Sequence, residues 1–186
     1  MYEASDLRKG LKISIDGDPY VIVTFDFVKP GKGQALYKCR LKNMITGSQF
    51  DKTYRSGEKF EPASLEEVKM EYLYADGQNY CFMNSTSYEQ EFLSADQVGD
   101  ALSLLKENTV CDVLLFDGRP IGVTLPIFME LKIVKADPWV KGDTASGDTK
   151  PATVETGYML QVPPFLEEGQ VIRIDTRTGN YVERVK

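Results

Sequence analysis

The chain has 186 residues, is 42% hydrophobic and 27% charged, carries a formal net charge of −6 and contains no histidine. Without histidine, Ser-His-Asp and Cys-His catalysis in their usual forms are excluded, and three cysteines at wide spacing with no CxxC make a four-ligand zinc site a poor fit. An acidic total argues against a generally basic nucleic-acid binder, yet the charge is unevenly spread: residues 1–63 hold 11 basic and 8 acidic side chains (+3), residues 64–126 hold 3 and 11 (−8), and residues 127–186 hold 8 and 9 (−1).

The N-terminus, MYEASDLRKGLKIS, lacks the apolar core of a signal peptide, and no apolar run approaches the length of a membrane span. The expected location is therefore the cytoplasm, with no membrane partner. Cys39, Cys81 and Cys111 are expected as small buried hydrophobes.

In chain order the first element is a hairpin: LKISIDGDPYVIVTFDFV alternates apolar positions around Asp16-Gly17. Two strands follow, at residues 20–28 and 34–42, joined by KPGKG. Pro30 presets φ and Gly31 is expected to supply positive φ in a type II turn, which leaves Lys32 projecting from the tip between Gly31 and Gly33. No acidic residue occurs from Phe27 through Phe50, whereas Lys29, Lys32, Lys38, Arg40 and Lys42 lie in that window and Lys52 just beyond it. On the second strand Lys38, Arg40 and Lys42 share one face and Tyr37, Cys39 and Leu41 the other, giving a ribbon with one cationic and one core-facing side. A lysine in a turn is ordinarily a solvated loop residue. The absence of GxxxxGK[ST] removes the P-loop reading of GKG.

GEKFEPAS reads as a linker, and SLEEVK (64–69) as a short helix. MEYLYADGQNYCFMN repeats the hairpin device at Asp76-Gly77. SADQVGDALSLLKEN is the clearest helical stretch, with Ser94 as N-cap and Val98, Leu102 and Leu105 on one face, weakened by Gly99. TVCDVLLFDGRPIGVTL turns at Asp117-Gly118, and QVIRIDTRTGNYVERV turns at Thr178-Gly179-Asn180. Short strands at regular spacing predict an all-β protein. Three units are expected: an SH3-like domain at 1–63, an OB-type domain at 64–126 carrying one short helix, and a second OB-type domain at 127–186. At this size each is marginal alone, so they are expected to share interfaces.

FVKPGKGQALYKCRLKN, YLYADGQNYCFMN, VGDALSLLKEN, DGRPIGVTLPIFMELKIV, KGDTASGDTKPATVETG and VPPFLEEGQVIRIDTRTGNYVERV occur in this order. In that order, and across the whole chain, they resemble the bacterial elongation factor P family. The resemblance implies three antiparallel barrels in an L shape, the first of the KOW type, and a monomeric, non-enzymatic factor. Such a factor binds both ribosomal subunits beside the peptidyl-tRNA and promotes peptide-bond formation at consecutive prolines. It implies that Lys32 is extended by a modifying enzyme, here with a β-lysyl-type group, and reaches the CCA end, with no other cofactor and no metal. Leu36 stands where many members have an aromatic residue. Lys29, Pro30, Gly31, Gly33, Lys38, Arg40 and Lys42 are the implied neighbours of that contact. Gly142, Asp143 and Thr144, in a loop that composition alone reads as merely polar, would face the small subunit. Tyr181 and Arg184 on the last strand would lie near the anticodon stem. Two alternatives remain open: a paralogue or other RNA-binding barrel protein without polyproline rescue, and an enzyme forming a Schiff base at Lys32, which would need a desolvated pocket or a neighbouring cation.

Overall fold

A computed structural model describes residues 1–138 and 148–186. It is an all-β structure of three antiparallel sheets. By its contacts the chain divides into two compact units, Met1–Glu67 with Leu114–Gly122, and Val68–Val113 with Val123–Lys186.

The first unit is built on β1 (Tyr2–Glu3), β2 (Lys12–Ile15), β3 (Asp18–Val28), β4 (Leu36–Asn43), β5 (Gln49–Arg55) and β6 (Lys59–Pro62), in the order β1-β6-β2-β3-β4-β5. Asp16 (φ 51°) and Gly17 (φ 85°) make the turn between β2 and β3, the doubly left-handed pair that matches strand twist. Strict alternation on β4 sends Tyr37, Cys39 and Leu41 into the core with Ile13 and Ile22. Burying a side chain such as Leu41, wholly inaccessible here, is worth about 1.5–3 kcal/mol.

Two expectations fail here. GEKFEPAS is not a linker: β6 pairs with both β1 and β2, and Phe60 is buried edge-on against Tyr54 with ring centroids 4.7 Å apart. Nor is SLEEVK helical; it opens β7 (Leu65–Asp76). Val68, Met70 and Tyr72 follow a period of two, and the place of β7 in the interior of its sheet, beside β8 (Asn79–Asn84) on one side and a further strand on the other, overrides the local helix preference of the glutamates.

The middle sheet is completed by β9 (Gln90–Ser94), β10 (Val110–Phe116) and β11 (Arg119–Thr124), in the order β11-β10-β7-β8-β9. Its helix α1 (Ala95–Val98) is shorter than the periodicity predicts. Ser94 caps it as expected, accepting from the Gln97 amide in a capping box, but Gly99 at φ 68° ends it and a 3-10 turn follows to Ser103. Val98, Leu104 and Leu105 are the buried residues, so Leu104 takes the place expected of Leu102.

The last sheet comprises β12 (Phe128–Ala136), β13 (Lys150–Val154), β14 (Met159–Val162), β15 (Val171–Asp175) and β16 (Asn180–Arg184), in the order β14-β13-β12-β15-β16. The end strands β14 and β16 approach one another, so this sheet curls toward a barrel around Leu131, Ile133, Leu166, Ile172 and Ile174. Inside the second unit, Glu155 clasps the two sheets. Its carboxylate accepts from the Lys132 amide at 2.9 Å and pairs with Lys106 at 3.1 Å, while Thr156 donates to the Ser103 carbonyl at 2.7 Å. All three cysteines are buried and free, and burial pushes the Cys111 thiol up to about 12. None of the described helices is long and apolar enough to cross a membrane.

Candidate functional site

The hairpin of β3 and β4 closes at Val28 paired with Leu36, and residues 29–35 form its tip. The base of the tip is stiff. Phe27 lies directly across from Tyr37 with ring centroids 5.2 Å apart, and Phe25 meets the same tyrosine at 6.3 Å. These aromatics, of which the sequence pattern singles out only Tyr37, as core-facing, hold the two strands together where the loop begins.

Above that base no backbone hydrogen bond bridges the loop. The expected type II turn at Pro30-Gly31 is therefore absent. Gly31 does not have positive φ; Gly33 does, at 123°. In a loop this long no two-residue geometry is imposed, and the chain bends through Gly31, Lys32 and Gly33. Gly33 needs to be glycine for that backbone conformation, which costs another residue about 1–3 kcal/mol. Lys29, Gly31, Lys32 and Gly33 are exposed and Pro30 is half-buried. Among the described residues neither Lys29 nor Lys32 has a hydrogen-bond or ion-pair partner. Lys32 is thus an unneutralised ammonium on a flexible stem, carried on a rigid two-stranded support.

The cationic ribbon is real but partly cancelled. Lys38, Arg40 and Lys42 are exposed on the outer face of β4, as the alternation predicts. Arg40, however, is bound by both oxygens of Asp51 across the β4–β5 pair, at 2.8 and 3.1 Å. The hydrogen bond from Arg40 holds the Asp51 carboxyl below its ordinary value, so this pair stays ionised and internally satisfied. Asp26 stands directly opposite Lys38 on β3. Lys52 leaves the ribbon altogether, with its ammonium 5.2 Å from the centroid of the Tyr54 ring. A count along the chain cannot see these cancellations, because Asp26 and Asp51 lie just outside the acid-free window and become neighbours only through strand register.

On β16 the structure places Tyr181 opposite Ile174 and Arg184 opposite Ile172. Simple alternation would put residues three apart on opposite faces. An irregularity between Arg173 and Ile174 in the pairing inserts an extra residue, and both side chains come to one face. Arg184 is exposed and Tyr181 half-buried. Glu183, on the other face, is tied to Arg173, which also binds Glu130 at 3.0 Å. Gly142, Asp143 and Thr144 lie outside the described residues.

The loop before β16 is held from two sides. Thr176 donates to the Pro126 carbonyl at 2.6 Å, and Tyr158 donates to the Gly179 carbonyl at 3.0 Å. A cavity of about 520 Å³ lies beside this loop, lined by Leu104, Leu125, Ile127 and Tyr158 among others. The described residues include no cluster of three or more metal-ligating side chains.

Three family models match the chain in succession. They are described as the Elongation factor P KOW-like domain at residues 3–60, the Elongation factor P OB domain at residues 65–123, and Elongation factor P, C-terminal, at residues 129–184. Among curated relatives, Elongation factor P of Desulfosudis oleivorans is 73% identical over 186 residues, covering 100% of both chains. That of Desulforapulum autotrophicum is 70% identical over 185 residues, covering 100% of this chain and 99% of its own. Elongation factor P 2 of Geobacter sulfurreducens is 58% identical over the full length of both. Among solved structures, eukaryotic translation initiation factor 5A from Methanococcus jannaschii shares the fold, with a TM-score of 0.57 at 20% identity, over 67% of this chain and 91% of its own.

Proposed function

Because this chain belongs to the elongation factor P family and is a translation elongation factor, we propose that it binds the ribosome beside the peptidyl-tRNA and restores peptide-bond formation at consecutive prolines through Lys32. The observation that carries this reading is the tip itself: an exposed, unpaired lysine beyond a stiff aromatic base, next to a glycine in a conformation that other residues avoid. Such a finger can enter a narrow RNA cleft without bringing its own barrel along.

The chemistry is positioning. Proline locks its own φ and presents a constrained amine, so stalled prolyl transfer lacks a reactive geometry more than it lacks an acid or base. Ordering the peptidyl-tRNA end recovers part of the entropic barrier, and each 1.4 kcal/mol recovered is about tenfold in rate. Lys32, extended by a β-lysyl-type group, supplies charge and hydrogen bonds to that end. Its exposure speaks against the Schiff-base reading, since nothing desolvates the amine. Lys29, Lys38 and Lys42 contribute phosphate attraction along the same hairpin. Tyr181, half-buried, and Arg184, exposed, would offer a ring and a guanidinium to the tRNA anticodon stem from the last strand.

The test is peptide mapping of residues 29–38 from the native host together with a polyproline reporter. We expect added mass on Lys32 alone and loss of rescue in Lys32→Ala with the fold intact. Full rescue by Lys32→Ala would refute the assignment.

A further inference from the structure

We propose that Arg8, Lys9 and Lys12, together with Lys42, form a second docking surface in the first unit, one that receives the phosphodiester backbone of RNA away from the lysine tip. The choice of RNA as partner rests on the translation-factor reading above; the surface itself rests on strand register.

Val21 on β3 pairs with Lys12 on one side and with Lys42 on the other. Directly paired residues point the same way, so Lys12, Val21 and Lys42 form one outward rung across three strands. Their backbones span two strand spacings, about 9–10 Å, which sets the two ammonium groups far enough apart to meet separate phosphates. The next rungs toward the tip differ. Thr24, Arg40 and Asp51 share one, and there the guanidinium is neutralised. Asp26 and Lys38 share the other, with a carboxylate facing the amine. The uncancelled part of the cationic face therefore lies at its end remote from Lys32.

The chain preceding β2 extends this end. Residues 10 and 11 continue the β2–β3 pairing, through the Gly10 amide donating to the Ile22 carbonyl at 2.7 Å and the Ile22 amide to the Leu11 carbonyl at 2.9 Å. This holds Arg8, Lys9 and Lys12 around an open hollow of about 420 Å³, walled by Tyr2, Pro62 and Leu65. Gly10, which lines the hollow at φ 86°, has open space beside it, since a Cβ there would meet nothing within 4 Å. Arg8, Lys9, Lys12 and Lys42 are all exposed, and among the described residues none of them has an ion-pair partner. Four unpaired cations in one region of a chain with net charge −6 are a local inversion of its field, suited to a polyanion that must be held while the rest of the surface repels it.

The experiment measures binding of the full-length protein to ribosomes carrying peptidyl-tRNA over a range of salt. Each phosphate contact contributes about 0.7–0.9 to the slope of log affinity against log salt. Replacing Arg8→Gln, Lys9→Gln and Lys12→Gln together should make the slope shallower by about 2–3, whereas Arg40→Gln with Asp51→Asn, which deletes a neutralised pair, should leave it unchanged. In parallel, a photoreactive group on Lys9→Cys in the otherwise intact protein should give an adduct that ribonuclease removes. An unaltered slope in the triple variant while the wild type binds would overturn this surface and leave the translation-factor reading standing. Adducts with ribosomal protein alone would also overturn it. No binding by the wild type would remove both.

Discussion

Gly179→Ala should be far more damaging than a loop substitution ordinarily is, and most of the excess should depend on Tyr158. Gly179 has φ 76°, where an L side chain costs about 1–2 kcal/mol. An added Cβ would also fall 2.2 Å from the Tyr158 hydroxyl oxygen. The tyrosine would have to move, breaking its hydrogen bond to the Gly179 carbonyl, worth about 0.5–1.5 kcal/mol. Together these give a loss of about 1.5–3.5 kcal/mol. Tyr158→Phe alone should cost about 1 kcal/mol, by losing the hydrogen bond. In the Tyr158→Phe background the offending oxygen is gone and the nearest atom is 3.2 Å away, so Gly179→Ala should cost little beyond its backbone term. Urea denaturation of the four proteins closes this cycle, with an expected coupling of about 0.5–1.5 kcal/mol, the hydrogen-bond term alone. Additivity within about 0.5 kcal/mol would refute the claim that the tyrosine pins this loop, and with it the idea that the loop presents Tyr181 and Arg184 in a fixed pose.

Tyr54→Phe should stabilise the first unit or leave it unchanged. The Tyr54 hydroxyl is buried with no hydrogen-bond partner among the described residues, and burial, the largest cause, pushes its pKa up to about 12. Deleting it removes an unpaid desolvation of about 1–3 kcal/mol; a marked drop in Tm would mean that the hydroxyl has a partner. Glu155 gives a pH signature. Burial raises its pKa, but the Lys132 amide and Lys106 outweigh that effect and the net shift is downward. A carboxyl lowered on folding contributes stability above its unfolded value, near 4.3, and loses it as pH falls through the folded value. Denaturation at pH 7 and at pH 3 should therefore show Glu155→Gln less stable than wild type at pH 7 and nearly level with it at pH 3. A constant difference between the two would contradict the clasp.

The hairpins were legible because turn chemistry is local. Asp16-Gly17 and Asp117-Gly118 each show the positive φ pair that such dipeptides favour, and the β4 alternation follows from residue identity alone. The two misread strands depended on distant partners, whereas the shortened helix was ended locally by Gly99. β6 became a strand because β1 and β2 flank it, and β7 because it lies between β10 and β8 in its sheet, whatever their glutamates prefer. At the candidate site, the position of Lys32 at an exposed tip followed from Pro30 and the glycines, although the positive φ moved from Gly31 to Gly33. Which cations remain free did not follow, because Asp51 reaches Arg40 only through the β4–β5 register. Tyr181 and Arg184 share a face only because of a bulge that no sequence period announces.

The most direct test of the account is the rate of Pro–Pro bond formation on ribosomes reconstituted with the natively modified protein or with Lys32→Ala, measured beside a bond that does not stall. The account predicts that the wild type accelerates the Pro–Pro step by tenfold or more (about 1.4 kcal/mol or above), that Lys32→Ala binds but gives little acceleration, and that the non-stalling bond is indifferent to both. Equal acceleration of Pro–Pro synthesis by wild type and Lys32→Ala would contradict it.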